Sequence, residues 1–274
     1  MDDLVDNFVM ILAAPRRSGK SYFIKTLLTQ PSFIERFEHI VIMCPSLKFN
    51  DDYGDFMERD DELFTFIGDP TRAILEDLFN KQCSVKERVR GQERMMKRRN
   101  KAGSYHLVIE ELMECPKTLL ILDDMIDSGL MNFKGLCDRF AERGRHIDFS
   151  VIATSQRMSA VSRSVRLNSD LFIIFCPYSI SEIEQFLEQF VSRGQKKQIR
   201  KALDDIFNEK YQFVLLDNSR PTGKKLQTSN ADDFCASHVS ILSEIYNLTE
   251  ESNKKMLRGT RRLTDEEKYS SEEE

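Results

Sequence analysis

The chain has 274 residues, 41% of them hydrophobic and 31% charged, which suits one large α/β domain with a substantial core. Its net charge of −5 lacks the basic excess of proteins that clamp nucleic acid as monomers, although a ring would need only a few basic groups along its channel. No run of about 18 uncharged apolar residues occurs and the first residues are acidic, so we expect neither a membrane-spanning helix nor a secretory signal.

Seven short apolar runs rich in Val, Ile and Phe follow one another along the chain. They are residues 8–13, 39–44, 63–67, 118–122, 149–153, 171–175 and 211–216. Runs of this kind suit strands that are buried on both faces, and amphipathic stretches lie between many of them. The alternation predicts an α/β fold with a mostly parallel central sheet and helices on both faces.

We assign residues 1–248 to one domain. The polar stretch 71–114 has a helical pattern with a break near Ala102, so we interpret it as an elaboration between strands. Residues 249–274 lose the apolar periodicity, and within them 265–274 are mostly acidic and contain serine, which predicts a disordered tail. The six cysteines are scattered without a C-x-x-C pair, which favours reduced thiols in an intracellular compartment over a zinc site or disulfides.

A candidate phosphate-binding loop follows the first apolar run and precedes a helical stretch at 22–28. Its residues are Ala14, Pro15, Arg16, Arg17, Ser18, Gly19, Lys20 and Ser21. Strand, loop and helix in this order gather unpaired backbone N–H groups around a phosphate at the positive end of a helix dipole. We expect Lys20 to reach the β- and γ-phosphates of ATP and the Ser21 hydroxyl to ligate Mg²⁺. The usual first glycine is Ala14 here, which a loop tolerates where φ stays negative.

Two carboxylates, Asp123 and Asp124, follow the apolar run 118–122 directly. In P-loop enzymes the carboxyl edge of the sheet faces the nucleotide. We therefore expect Asp123 to hold the Mg²⁺ shell, and Asp124 to polarise the attacking water, a position where Glu is common. The next strand ends in Ser155-Gln156, and the Gln156 amide is our candidate for a sensor that hydrogen-bonds the γ-phosphate or the water.

Together these motifs resemble the genome-packaging ATPases of large double-stranded DNA viruses and virophages, within the FtsK–HerA superfamily of ring translocases. The resemblance covers roughly residues 8–176 in the family's order. Its motifs are A-x-x-x-S-G-K-S, Met43-Cys44-Pro45-Ser46, L-L-I-L-D-D, Arg143-Gly144-Arg145-His146, Ser155-Gln156 and Val165-Arg166-Leu167-Asn168-Ser169-Asp170. The phosphate loop is generic, and the series from R-G-R-H to R-x-N-x-D is the discriminating part.

The resemblance implies an ASCE/RecA-like P-loop ATPase that uses ATP and Mg²⁺ to drive double-stranded DNA into a preformed capsid. It also implies a homo-oligomeric ring with ATP between neighbours and an arginine supplied by the adjacent subunit. Arg145 and Arg166 are the two candidates, because each is expected near a strand end at the nucleotide edge. A capsid, portal or membrane protein of the virion would be a further partner, and the host-cell cytoplasm and the virion the expected locations.

Residues 86–101 form the most basic stretch and would suit a channel that tracks DNA phosphates without reading sequence. No aromatic residues interrupt it, which fits duplex better than single strands. A solvated helix face is the commoner meaning of such a run, and the basic cluster 193–201 has the same standing.

Two other functions stay open at this point. A nucleoside or nucleotide kinase would share the phosphate loop, with 86–101 as an arginine-rich lid, although the strand-end carboxylates and Gln156 favour water as the acceptor. The second alternative is an assembly switch that binds ATP without hydrolysing it. Ala14, in place of the usual first glycine of the loop, is compatible with this alternative.

Overall fold

A computed structural model describes residues 4–49, 51–58, 62–101, 115–125, 136–176, 179–220, 225–236 and 240–241. The strands within these ranges are β1 (Val9–Ala13), β2 (His39–Met43), β3 (Phe64–Ile67), β4 (Thr118–Leu122), β5 (Phe149–Ser155), β6 (Leu171–Phe175), β7 (Phe213–Asp217), β8 (Leu226–Ser229) and β9 (Ser240–Ile241). The helices are α1 (Lys20–Leu28), α2 (Pro31–Ile34), α3 (Gly54–Met57), α4 (Arg72–Lys101), α5 (Leu136–Arg143), α6 (Arg163–Asn168), α7 (Ile180–Phe190), α8 (Lys196–Phe207) and α9 (Ala231–Cys235).

The strands form one sheet in the order β3-β2-β4-β5-β1-β6-β7-β8-β9. The first six strands of this order, from β3 at the edge to β6, are all parallel. Strands β7, β8 and β9 continue the sheet beyond β6 with antiparallel pairing. The predicted mostly parallel sheet is therefore confirmed, and the seven apolar runs correspond to β1–β7. The short β8 and β9 were not predicted, because a polar segment such as Leu226–Ser229 carries no apolar run.

Helices cover both faces of the sheet, as predicted. Every residue of β4 is buried, and its alternate side chains enter two separate cores. Leu120 and Leu122 pack in the core that includes side chains from α4 to α8, whereas Leu119 and Ile121 pack in the core that includes α1 and α2. Each fully buried side chain of this size contributes roughly 1.5–3 kcal/mol, which explains the unbroken apolar composition of the central strands.

The strand order determines which loops meet. Strand β5 lies between β4 and β1, with Leu122 opposite Ala153 and Ser155 opposite Ala13. The three strands run in the same direction, so their carboxyl ends lie side by side at one edge of the sheet. We call this the carboxyl edge and the opposite side the amino edge.

Helix α4 begins after β3 at the carboxyl edge and returns across the sheet. Leu75 and Phe79 pack in the core, and Val89 is still buried, 7% exposed. At 1.5 Å per residue its 30 residues span about 45 Å. The basic stretch 86–101 is the second half of this helix. The predicted break near Ala102 and the predicted tail 249–274 lie outside the described residues.

In the part of the chain that the structure describes, no helix combines the length and the apolar character needed to cross a membrane.

Candidate nucleotide site

The loop between β1 and α1 lies at the carboxyl edge, directly beside the end of β5. The backbone N–H of Ala14 donates to the Ser155 carbonyl at 2.9 Å, which extends the β1–β5 pairing into the loop. Gly19, just before α1, has φ of 99°, a left-handed conformation that L side chains rarely adopt. Helix α1 is anchored beneath it by buried side chains that include Phe23 and Ile24. The loop is thus held on both sides by regular structure.

Alanine replaces glycine at the first loop position without backbone strain. Among the described non-glycine residues, positive φ occurs at Asn7, Arg17, Asp124, Asp148 and Tyr211, and Ala14 is not one of them. The Ala14 side chain is buried in the core under the sheet edge, 2% exposed. A glycine is therefore not required at this position.

Lys20 extends its side chain back over the loop. Its Nζ donates to the carbonyls of Ala14 at 2.8 Å and Pro15 at 2.6 Å, and the residue is only 9% exposed. Burial lowers the pKa of Lys20, and the nearby carboxylates of Asp123 and Asp124 oppose that shift. The ammonium group is therefore positioned inside the loop, where a phosphate would meet it.

Asp123 is almost fully buried, 3% exposed, and three hydroxyl groups surround its carboxylate. Oδ1 accepts from Thr154 Oγ1 at 2.8 Å, and Oδ2 accepts from Tyr53 Oη at 2.8 Å and from Ser21 Oγ at 3.4 Å. Burial raises the pKa of Asp123, and the bonds from Thr154 and Tyr53 oppose the rise. The pair of a serine hydroxyl and a carboxylate offers the hard oxygen ligands that Mg²⁺ prefers, with few protein ligands.

Tyr53 and Thr154 were not predicted. Tyr53 is 1% exposed and reaches Asp123 from a 3₁₀ turn 70 positions earlier in the chain. Burial and the adjacent carboxylate raise the pKa of Tyr53 well above its usual value, so its hydroxyl keeps the proton that it donates. Thr154 is an interior residue of β5, where threonine is an ordinary strand former, so its polar role gives no sequence signal.

Asp124 and Gln156 meet as expected at the ends of neighbouring strands. Gln156 Nε2 donates to Asp124 Oδ1 at 2.9 Å, and the Asp124 backbone N–H donates to Thr154 Oγ1 at 2.9 Å. Asp124 has φ of 51°, a strained conformation for an aspartate that costs about 1–3 kcal/mol. Strain of this kind persists where neighbouring contacts over-determine it, and it holds this carboxylate towards the loop side of the sheet.

These residues line a cleft of about 440 Å³ at the carboxyl edge. The lining residues are Arg16, Arg17, Gly19, Lys20, Ser21, Tyr22, Ser46, Asp52, Asp123, Asp124, Gln156 and Tyr211. Most of the predicted loop, metal and sensor residues are therefore brought together. Ser18 stabilises the loop from within, because its Oγ donates to the Pro15 carbonyl at 2.7 Å. Among the described residues no group of three or more His, Cys, Asp or Glu side chains could hold a metal.

The two predicted arginines do not line this cleft. Arg166 is 6% exposed, and its guanidinium donates to the Met158 carbonyl at 2.9 Å, to the Val161 carbonyl and to Gln189 Oε1 at 2.9 Å. Burial lowers the pKa of Arg166. These hydrogen bonds connect α6 to α7 and to the turn after β5.

Arg145 lies at the amino edge, and its expected place near the nucleotide edge was wrong. The R-G-R-H motif precedes β5, so the seven residues of that strand, about 23 Å at 3.3 Å each, separate it from the strand's other end. The Arg145 carbonyl accepts from Asn7 Nδ2 at 3.4 Å, and the residue is exposed. Asp170 ends the R-x-N-x-D motif at the same edge, where its Oδ2 accepts the Val9 N–H at 2.8 Å and fixes the start of β1.

The basic half of α4 is attached to the amino edge. Lys86 forms an ion pair with Asp148, and Arg90 donates to the His146 carbonyl at 3.1 Å. Arg94 and Lys97, farther along, are exposed. In the cluster 193–201, Lys196 and Arg200 pair with glutamates of α7. Two cations of each basic cluster thus have local partners.

Comparisons with known proteins identify the family and the fold of this chain. The family model described as "Poxvirus A32 protein" matches residues 79–241, more than half of the chain, and that segment contains Asp123, Asp124 and Gln156. No curated protein sequence matches the chain.

Several solved structures share the fold at low identity. The DNA-packaging ATPase B204 from Sulfolobus Turreted Icosahedral Virus is 16% identical with a TM-score of 0.56, covering 83% of this chain and 98% of that one. The genome packaging NTPase B204 from Sulfolobus turreted icosahedral virus 2, solved with ATP-gammaS, is 17% identical with a TM-score of 0.51 and the same coverage. EssC (ATPases 2 and 3) from Geobacillus thermodenitrificans is 16% identical with a TM-score of 0.54, covering 93% of this chain but 45% of its own.

At these identities the structural matches show the fold, which is that of P-loop ATPases. With the family match they confirm the resemblance to genome-packaging ATPases that the motifs indicated. The chain belongs to the Poxvirus A32 protein family.

Proposed function

We propose that this protein hydrolyses ATP and uses the energy to move double-stranded viral DNA into a preformed capsid. One observation carries the proposal: Lys20, Asp123 and Asp124 converge with Ser21 and Gln156 in a single cleft at the carboxyl edge. This set supplies a group for each part of phosphoryl transfer to water. The family membership and the fold shared with packaging NTPases support the same function.

In this proposal the triphosphate binds across the N-terminus of α1. The backbone N–H groups of the loop and the helix dipole favour its negative charge. Lys20 would exchange the carbonyls of Ala14 and Pro15 for the β- and γ-phosphate oxygens. Ser21 and Asp123 would hold Mg²⁺, which when bound neutralises charge on the phosphates.

Hydrolysis requires a water that attacks the γ-phosphorus opposite the leaving ADP oxygen. Asp124 is the candidate to polarise that water and take up its proton, so the products are ADP and inorganic phosphate. Gln156 already donates to Asp124 at 2.9 Å, so the same amide is within reach of the water or the γ-phosphate. The hydroxyl of Thr154 holds the Asp123 side chain and the Asp124 backbone together, which coordinates the two carboxylates.

The position of the basic half of α4 argues against a kinase lid. Lys86 and Arg90 attach this segment to residues 146–148 at the amino edge, away from the cleft. A lid would need to close over the phosphates. The segment instead offers exposed cations such as Arg94 and Lys97, which suits contact with duplex phosphates.

The proposal includes a homo-oligomeric ring in which a neighbouring subunit supplies an arginine to the nucleotide. Arg145 is the first candidate, because its side chain is exposed, whereas Arg166 already donates to two carbonyls and an amide in its own chain. A capsid, portal or membrane protein of the virion would complete the machine. The protein would then act in the host-cell cytoplasm at the assembly site and in the virion.

The test is ATP hydrolysis by the purified protein with and without long duplex DNA, beside a Lys20→Ala variant. The proposal predicts release of inorganic phosphate that rises with duplex and is lost in the variant. Phosphate delivered to a nucleoside would replace the proposal with a kinase. ATP binding without turnover, with and without duplex, would replace it with an assembly switch.

A further inference from the structure

Tyr211 has an unusual position beside the phosphate loop. It lies in the turn between α8 and β7, at the carboxyl edge, and its ring packs against Gly19. A methyl group added at Gly19 would lie 3.3 Å from Cδ1 of Tyr211. The residue is nevertheless 61% exposed, so more than half of its surface is open to solvent.

The backbone of Tyr211 also argues for a role other than packing. Its φ of 65° is a left-handed conformation, which is strained for a bulky aromatic residue. Among the described residues its hydroxyl has no hydrogen-bond partner that would stabilise this conformation. Strained residues of this kind concentrate at sites that bind ligands.

Tyr211 separates two adjoining clefts. One is the cleft of about 440 Å³ that contains Lys20 and Asp123, and the other is a cleft of about 530 Å³. Gly19, Tyr22 and Tyr211 line both of them. A triphosphate seated on the loop would therefore direct the rest of its nucleotide along this shared wall.

The second cleft fits a nucleoside in size and composition. Its volume lies within the range of ligand pockets, about 300–1,000 Å³. Phe175 contributes a second aromatic ring to its lining, and Asn230 and Asp232 contribute polar groups at its rim. Tyr22 is held in place there, because its hydroxyl donates to Asp232 Oδ1 at 3.0 Å.

We propose that the Tyr211 ring is the platform on which the nucleobase of the bound triphosphate stacks. The inference rests on the proposed function, because it requires the triphosphate to occupy the phosphate loop. A flat aromatic ring with an exposed face binds the π-face of a nucleobase and adds affinity that the phosphates alone do not give.

The test separates the base from the phosphates. Calorimetric titration of ATP and of inorganic tripolyphosphate, both with Mg²⁺, is carried out on the 274-residue chain and on its Tyr211→Ala and Tyr211→Phe variants. Phe49→Ala serves as the matched control, because Phe49 is an aromatic residue that is 91% exposed and lines none of the clefts described above. Thermal unfolding of each variant checks that the fold is retained.

Stacking predicts that Tyr211→Ala weakens ATP binding by about 5-fold to 150-fold. Binding of tripolyphosphate changes less than about twofold, and Tyr211→Phe and Phe49→Ala bind ATP like the unaltered protein. An equal loss for both ligands would show that Tyr211 only supports the loop, and unchanged ATP binding would remove it from the site. If the unaltered protein binds neither ligand, the proposed function fails as well.

Discussion

Thr154 connects the two carboxylates of the site, and its hydroxyl can be removed with little change in volume. The residue is fully buried, donates to Asp123 Oδ1 at 2.8 Å and accepts the Asp124 backbone N–H at 2.9 Å. Thr154→Val replaces the hydroxyl by a methyl group. Two hydrogen bonds are lost, and the former partners are the Asp123 carboxylate, which is 3% exposed, and the Asp124 N–H, which is part-buried.

The size of the effect follows from these contacts. A hydrogen bond to a charged group contributes about 1.5–3 kcal/mol, and a buried N–H left without a partner costs about 1–3 kcal/mol. The sum is roughly 2.5–6 kcal/mol, before any relaxation of the strained backbone at Asp124. We expect Thr154→Val to lower the free energy of unfolding by about 2–5 kcal/mol, allowing for such relaxation.

Urea-induced unfolding, followed by circular dichroism, measures this change. Thr154→Ser is the matched control, because it keeps the hydroxyl and removes one methyl group, at a cost of about 1 kcal/mol. Hydrolysis by Thr154→Val should fall by about 5-fold to 150-fold, since this range corresponds to the 1–3 kcal/mol that holds Asp124 in place. A Val variant within about 1 kcal/mol of the unaltered protein, or a Ser variant as unstable as the Val variant, would refute this reasoning.

Three further predictions concern other contacts. Tyr53→Phe deletes the donor to Asp123, so the Mg²⁺ concentration for half-maximal hydrolysis should rise about tenfold; an unchanged magnesium titration would contradict this role. Burial raises the pKa of Asp170 above its unfolded value, so the unaltered protein loses stability as pH rises from the unfolded pKa through the folded one. Asp170→Asn still accepts the Val9 N–H but cannot ionise, so it should gain stability relative to the unaltered protein across that pH window. Urea titrations at several pH values measure this difference in stability, and a difference that stays constant with pH would count against the prediction. Arg166→Met should destabilise the fold by about 3 kcal/mol, because the guanidinium holds buried carbonyls of its own chain. Arg145→Ala should keep the thermal unfolding midpoint but lose ATP hydrolysis in the oligomer. The opposite pattern would make Arg145 the structural residue and Arg166 the arginine supplied to the neighbouring subunit.

The central fold could be predicted because its strands are buried on both faces. The run 118–122, for example, is apolar throughout, since its alternate side chains enter two different cores. The direction of β7 could not be predicted in this way, because an apolar run is the same whether a strand is parallel or antiparallel. The polar strands β8 and β9 carry no such pattern at all.

The candidate site was predictable where its residues follow strands directly. The three strands β4, β5 and β1 lie side by side, so the residues that follow them meet at one edge. Asp123 and Gln156 come directly after β4 and β5, and Lys20 begins α1 at the end of the loop after β1. Tyr53 was missed because it reaches the site from an irregular turn, and only the three-dimensional structure brings it to Asp123. Arg145 was misplaced because its motif stands before β5, and the strand carries the chain across the sheet before it reaches the site.

Movement along duplex DNA tests the proposed motor most directly. A third strand bound to a long duplex is displaced when a translocase passes, and its release can be followed by fluorescence with ATP, without ATP and with the Lys20→Ala variant. We predict release that requires both ATP and Lys20. ATP hydrolysis that proceeds on the same duplex while the third strand stays bound would contradict the motor function.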